Sequence, residues 1–288
     1  MWKLRLITNM RAHNDTWFAD YLLRIGNGTE EADDQGNILL LDDICLPSTR
    51  DADDLEKLIE HVFPSLDDNM TDSNYMTSRA ILSTTNDNVD KINTRMIDRF
   101  HGDEVIYHSF DSAEDDPYGY YAPGFLNGLT PNGLPSHALK LKMNCPVILI
   151  RNIDPANGLC NWTKLVVRGF ERNTIDAEIV IGQHAGRRVF LPRIPLCPSD
   201  NDMFPFKFKR KQFPIRISFA MTINKAQGQT IPIVRVYLPG QLYIVLSRAT
   251  AKSNIKILIE KDKPKEKGHK QSKNSKKRKR PTCQCLAP

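Results

Sequence analysis

Residues 79–100 read Arg79-Ala80-Ile81-Leu82-Ser83-Thr84-Thr85-Asn86-Asp87-Asn88-Val89-Asp90-Lys91-Ile92-Asn93-Thr94-Arg95-Met96-Ile97-Asp98-Arg99-Phe100. The apolar run at the front predicts a buried strand. Asn86 can then cap a helix that carries Val89, Ile92, Met96, Ile97 and Phe100 on one side. A strand, a polar turn and a helix in succession make half of a βαβ unit, which places the chain in the α/β class with a parallel sheet flanked by helices.

On the N-terminal side, residues 4–7 predict a further strand. Asn14 or Asp15 can cap a helix with Trp17, Phe18, Tyr21, Leu22 and Ile25 on one face, closed by Gly26. Arg11 stands where that strand hands over to that helix, at the strand end where α/β folds bind ligands; pairing with Asp15 or Asp20 is the alternative reading. Residues 30–72 hold fourteen Asp/Glu against Arg50 and Lys57, which predicts a solvated, loop-rich connector with one or two short helices.

On the C-terminal side, residues 111–133 read as an irregular excursion. From Cys145 short strands follow at close spacing, at 147–151, 164–168, 177–181 and 188–191, the signature of a small β-barrel inserted in the α/β frame. Residues 203–235 contain no acid and interleave Lys207, Lys209, Arg210 and Lys211 with Phe204, Phe206, Phe208 and Phe213. Because the rings alternate with Lys207 and Lys209, they are expected to pack inward and leave the lysines for phosphates.

Two runs then stand out, Ser218-Phe219-Ala220-Met221-Thr222-Ile223-Asn224-Lys225-Ala226-Gln227-Gly228-Gln229-Thr230 and Gln241-Leu242-Tyr243-Ile244-Val245-Leu246-Ser247-Arg248-Ala249-Thr250. Each sets residues able to grip phosphate at the edge of an apolar element. Taken alone, the first also reads as a helix end closed by glycine and the second as an ordinary polar turn. Residues 231–238 predict a strand, 241–246 a short helix and 255–259 a last strand.

The chain has 288 residues and a 40% hydrophobic content, enough to bury a substantial core. No run reaches the roughly 18 apolar residues of a membrane span and residues 1–10 hold no apolar signal core, so a soluble, intracellular protein with no membrane partner is expected. Six scattered cysteines fit reduced thiols. Cys283 and Cys285 alone make a weak zinc pattern, and no structural metal is expected. The net charge of +6 is regional: residues 261–280 carry eleven Lys/Arg against Asp262 and Glu266, which leaves the remainder at −3. That tail is expected to be disordered, and its run at 276–281 reads as a nuclear-localisation cluster or a loose nucleic-acid-binding arm.

In their order these motifs resemble superfamily-one DNA helicases of the petite-integration-frequency (Pif) type, especially those of plant Helitron transposons. The resemblance runs over residues 4–259 and rests on Asn9-Met10-Arg11, Leu22-Leu23-Arg24-Ile25-Gly26-Asn27-Gly28, residues 86–93 and 146–160, and the two runs above. It implies the second RecA-like domain at 1–29, 76–139 and 194–260, an acidic connector at 30–75, a Src-homology-three (SH3)-like barrel at 140–193 and a tail at 261–288. Arg11 and Arg248 would be the arginines that stabilise the transferring phosphoryl group, with Gln229 and Ser247 beside the nucleotide. Thr222, Asn224, Lys225, Gln227 and Gly228 would couple single-stranded DNA to the nucleotide cleft, with Lys207 and Lys209 adding phosphate contacts.

Departures from the family pattern qualify this. The sequence contains no Gly-x-x-x-x-Gly-Lys-Ser/Thr loop and no strand ending in paired acids, and His101-Gly102-Asp103-Glu104 follows a helix and does not suit that role. Only Pro239-Gly240 stand where the family has a longer segment, Ala226 replaces a serine and Trp162 a glycine. ATP and Mg2+ are therefore expected in the complete family enzyme and are not expected to bind tightly to this chain alone. The expected partners are single-stranded DNA or DNA junctions and a missing N-terminal motor domain, and the expected location is nuclear. The resulting expectation is the C-terminal half of an ATP-dependent 5′-to-3′ DNA helicase; the alternative is a non-enzymatic single-stranded DNA-binding remnant of a transposon.

Overall fold

The computed structural model describes residues 12–32, 38, 40–46, 54–114, 116, 118–198, 204–226, 232–238, 246–247 and 249–259. Arg11, Gln227, Gly228, Gln229, Arg248, the strand expected at 4–7, most of the helix expected at 241–246 and the tail at 261–288 lie outside these residues. In chain order the elements are α1 (Thr16–Asn27), β1 (Cys45–Leu46), α2 (Asp54–Val62), α3 (Leu66–Asn69), α4 (Ser73–Thr77), β2 (Arg79–Ser83), α5 (Asn86–Arg99), β3 (Val105–His108), β4 (Phe110–Ala113) and α6 (Pro123–Gly128). They continue with β5 (Ala138–Leu141), β6 (Pro146–Leu149), β7 (Lys164–Phe170), β8 (Thr174–Ile179), β9 (Arg188–Pro192), β10 (Ile194–Leu196), β11 (Phe208–Gln212), β12 (Ile215–Ile217), β13 (Ala220–Thr222), β14 (Ile233–Leu238) and β15 (Ile255–Ile259).

The chain folds as two compact units, one of residues 1–64, 78–89 and 220–288, the other of residues 65–77 and 90–219. The first is built on a parallel sheet of order β1-β15-β14-β2-β13. Helix α1 lays Phe18, Tyr21, Leu22 and Ile25 into a core with Ala80, Leu82, Met221, Val234, Ile255 and Ile257. Each such large side chain contributes about 1.5 to 3 kcal/mol on burial. Helix α2 packs against β2 and β14, and Ile81, which alternation points away from the α1 side, is also fully buried. Helices on both faces explain why β2 reads as a continuous apolar run, without polar alternation.

Two local expectations are corrected. Helix α1 does not stop at Gly26: it runs on to Asn27, and Gly28, at φ +67°, closes it with its N–H directed back to the last turn. Of the two cap candidates Asp15 is the one that caps, accepting from the Phe18 N–H at 3.0 Å. The acidic stretch is also more than a solvated connector, because α2 buries Leu58, Ile59 and Val62 completely and Phe63 follows them inside. Glu60 lies on the exposed side of this amphipathic helix and Glu56 at its margin, while Asp54, at its start, is buried.

The second unit is antiparallel. Its main sheet has the order β12-β6-β7-β8-β9, beside a three-stranded sheet β10-β11-β4 and the pair β3-β5. The four strands expected between 140 and 193 are present as β6 to β9, and β12, from outside that range, adds the fifth. The unit is thus wider than the insertion drawn from the sequence. Trp162, where the family pattern has glycine, adopts φ +72°, a left-handed conformation that costs a side-chain-bearing residue about 1 to 2 kcal/mol.

Lys164, at the start of β7, is buried with 6% exposure and donates to the Thr77 carbonyl at 3.1 Å. Burial pushes its pKa down from 10.5 to about 8. The unfolded chain therefore binds the proton more tightly, and the folded state is penalised in full below pH 8 and progressively less as pH rises toward 10.5. Lys164→Met is expected to stabilise the protein by about 2 kcal/mol at neutral pH, the relief from desolvation less the lost hydrogen bond. Denaturant titrations across this pH range check it, since the advantage should shrink above pH 8.

Candidate nucleic-acid interface

Within the parallel unit, β2 ends at Ser83 and β13 at Thr222, and these two residues are paired in register. The ladder extends by one bond, from the Ile223 N–H to the Ser83 carbonyl at 3.0 Å, and the Ala226 N–H then closes a turn on the Thr222 carbonyl at 3.1 Å. Residues 223–226 and the β2–α5 connection at 84–85 therefore lie side by side at the carboxyl edge of the sheet, where open α/β sheets bind ligands.

The side chains at this edge have one chemical character. Ile223 and Ala226 are buried and anchor the turn, Asn224 is exposed, and Lys225 is half-buried with its Nζ donating to Asn86 Oδ1 at 3.4 Å. Asn86 opens α5, whose first turn is capped by Thr85 Oγ1 accepting from the Asn88 N–H at 3.4 Å. Thr222 is buried beside Ser83, and the Ser83 and Thr84 hydroxyl oxygens are buried with no hydrogen-bond partner. Leaving such a hydroxyl unsatisfied costs about 1 to 3 kcal/mol, which a ligand oxygen would recover. Hydroxyls, an amide, an ammonium and a helix N-terminus together suit a phosphate.

This arrangement joins Thr222, Asn224 and Lys225, a motif in the sequence, to Ser83, Thr84 and Asn86, whose local sequence signals only a strand end and the start of a helix. Ser247 is half-buried, between Leu246 and Ala249, whose fully buried side chains share the core of Ile223 and Ala226. Arg11, Gln227, Gly228, Gln229 and Arg248 lie outside the described residues.

Lys207 and Lys209 belong to the antiparallel unit. Phe206 and Phe208 turn inward, Lys207 is exposed and Lys209 half-buried. Lys209 donates to Glu114 Oε1 at 2.6 Å, and that hydrogen bond raises its pKa, so it meets solvent as a cation already shared with an acid. Arg210 leaves the basic surface altogether: it is 1% exposed and forked onto Asp111 at 2.9 and 2.7 Å. Among the described residues no group of His, Cys, Asp and Glu could hold a metal ion, and no helix is long and apolar enough to cross a membrane.

Residues 124–170 match the family model "DNA helicase Pif1, 2B domain". Over 193 residues the chain is 29% identical to the ATP-dependent DNA helicase PIF1 of Rattus norvegicus, a match that covers 62% of this chain and 27% of that protein. Its fold is similar to the crystal structure of Pif1 helicase from Candida albicans, with a TM-score of 0.58, 22% identity and coverage of 86% of this chain and 54% of that one. It is likewise similar to Bacteroides Pif1 bound to single-stranded DNA, with a TM-score of 0.56, 20% identity and coverage of 86% and 50%. The chain thus spans about half the length of these solved helicases, and its match takes in about a quarter of the rat protein.

Proposed function

We propose that this helicase-related chain, similar to Pif1-type DNA helicases, serves as the C-terminal half of an ATP-dependent 5′-to-3′ DNA helicase and grips single-stranded DNA at the carboxyl edge of its parallel sheet. The observation that supports it is the meeting of Thr222 and Lys225 with Ser83, Thr84 and Asn86, two hydroxyls among them lacking any partner. Asn224, Gln227 and Gly228 extend this DNA contact, Lys207 and Lys209 add phosphate contacts on the antiparallel unit, and the strands β6 to β9 serve as the SH3-like insertion beside the DNA. Gln229, Ser247, Arg11 and Arg248 are assigned to a nucleotide that another motor domain largely holds. The basic run at 276–281 supports a nuclear location.

The residues at hand do not fit ATP and Mg2+ by themselves, because the sequence has no phosphate loop and among the described residues no group of His, Cys, Asp and Glu could hold a metal ion. The second reading is a single-stranded DNA-binding protein without ATPase. The two readings share DNA binding and part on whether joining a P-loop domain produces DNA-stimulated hydrolysis.

DNA binding is tested on a chain with residues 261–288 removed, so that the polyelectrolyte tail does not carry the signal. With a labelled oligo-dT, Lys225→Ala is expected to weaken binding several-fold and to lower the slope of log affinity against log salt by about 0.7, one phosphate contact on a single strand. A truncated chain that shows no binding at low salt would overturn both readings.

A further inference from the structure

The outer face of the β10-β11-β4 sheet has no part in the carboxyl-edge cluster, and its composition is specific. The opposite face packs Phe208, Leu196 and Ala113 into a core with Leu126, Leu134 and Phe206. Period-two alternation therefore turns their neighbours outward. Phe110 pairs with Lys211, and Lys211 in turn with Pro195, so ring, ammonium and proline form one row across three strands. Ser112 and Lys209 form the next row, and the Glu114 N–H reaches the Lys207 carbonyl at 3.0 Å, which carries the lysine column one step further.

Phe110 is 66% exposed, and its ring is backed by the Arg193 guanidinium at 5.6 Å from the centroid. Arg193 is itself fixed, donating to the His108 carbonyl at 2.7 Å and to Gln212 Oε1 at 2.9 Å, and it lies over Phe213 at 4.6 Å and Tyr107 at 5.3 Å. An isolated exposed phenylalanine means little. Here the ring rests on a cation fixed from behind, beside a lysine column whose acid on that face is Glu114, tied to Lys209.

We propose that this face is a stacking platform for single-stranded DNA, with Phe110 taking a base and Lys211, Lys209 and Lys207 meeting the backbone phosphates. It rests on the reading of the chain as a DNA-binding protein and adds a contact on the antiparallel unit separate from the carboxyl-edge cluster. The fit is one of paired chemistry: every base offers a π face to an aromatic ring, and phosphates follow at a spacing that a strand of alternating lysines can track. An apolar protein partner would leave the lysines without purpose, and an acidic one would leave the ring without purpose.

The test uses the full chain, with fluorescence anisotropy of a labelled oligo-dT and of an abasic oligonucleotide of equal length. Phe110→Ala is expected to lower oligo-dT affinity about ten-fold and leave abasic affinity unchanged, while Phe110→Trp retains both. Lys211→Ala should weaken both ligands alike and reduce the salt slope by about 0.7. Unchanged oligo-dT affinity in Phe110→Ala overturns the platform, and so do equal losses on both oligonucleotides, which assign the ring a structural role. If Lys225→Ala weakens binding and Phe110→Ala does not, the platform alone falls. If the unsubstituted chain binds neither ligand, the platform falls together with the DNA-binding reading.

Discussion

Asp111→Ala is expected to destabilise the protein by about 3 to 5 kcal/mol, the usual cost of breaking a buried ion pair from one side. Asp111 and Arg210 come from strands paired in register, Arg210 opposite Asp111, with side chains 0% and 1% exposed. The guanidinium uses four of its five N–H groups, donating twice to Asp111 and once each to the carbonyls of Pro135 at 3.0 Å and Leu129 at 3.1 Å. The carboxylate also accepts the Ser109 hydroxyl at 2.6 Å, and Ser109 in turn meets His137 Nδ1 at 2.8 Å. Removing the acid leaves a fixed cation in the interior with two carbonyls that cannot neutralise it. Asp111→Leu combined with Arg210→Met removes both charges and should recover most of the loss, because the desolvation penalty disappears with the attraction. Urea melts of the two single variants and the double variant measure this. A loss below about 1 kcal/mol in Asp111→Ala would mean that water reaches the pair and that its burial is not sustained in solution.

The same pair marks a limit of what local sequence conveys. Alternation of rings and lysines correctly turns Phe206 and Phe208 inward, but carried two residues further it also turns Arg210 and Gln212 inward, where composition suggests a basic surface. What makes an inward arginine tolerable is Asp111, 99 positions earlier, and no local pattern announces it. The strand-turn-helix at 79–99 is legible because burial and helical spacing agree within one short window, although the cap falls on Thr85 and the expected cap, Asn86, is the first helical residue. The three-residue strand β13 is not, since Ala220–Thr222 carries too short a pattern and owes its conformation to the parallel ladder with β2. Fourteen acids between residues 30 and 72 likewise hide the buried stripe of α2. At the candidate site Thr222, Asn224 and Lys225 are legible as a motif. Asn86 joins them across 139 positions, a proximity that only the sheet order creates.

In a protein that joins this chain to a P-loop motor domain, Arg248→Ala is expected to lower DNA-stimulated ATP hydrolysis by about 10³-fold or more, the range for an arginine that stabilises a transferring phosphoryl group. Arg248→Lys should restore little, because a point-charge ammonium does not reproduce the planar fork that meets two phosphate oxygens. Arg248 lies outside the described residues, but the chain on either side of it is held. Leu246 and Ala249 are both 0% exposed, in the core that also takes Met221, Ile223 and Ala226. The Ala249 N–H donates to the Leu246 carbonyl at 3.1 Å, Asn254 Nδ2 to Thr250 Oγ1 at 2.9 Å and the Lys252 N–H to Asp15 Oδ2 at 2.9 Å. The comparison that decides it is Arg248→Ala against Lys225→Ala in the joined protein. Lys225→Ala should raise the DNA concentration needed for half-stimulation, while Arg248→Ala should lower the maximal rate at saturating DNA. An Arg248→Ala protein that hydrolyses ATP at the unsubstituted rate would remove the arginine from the nucleotide site and leave the chain a DNA-binding element alone.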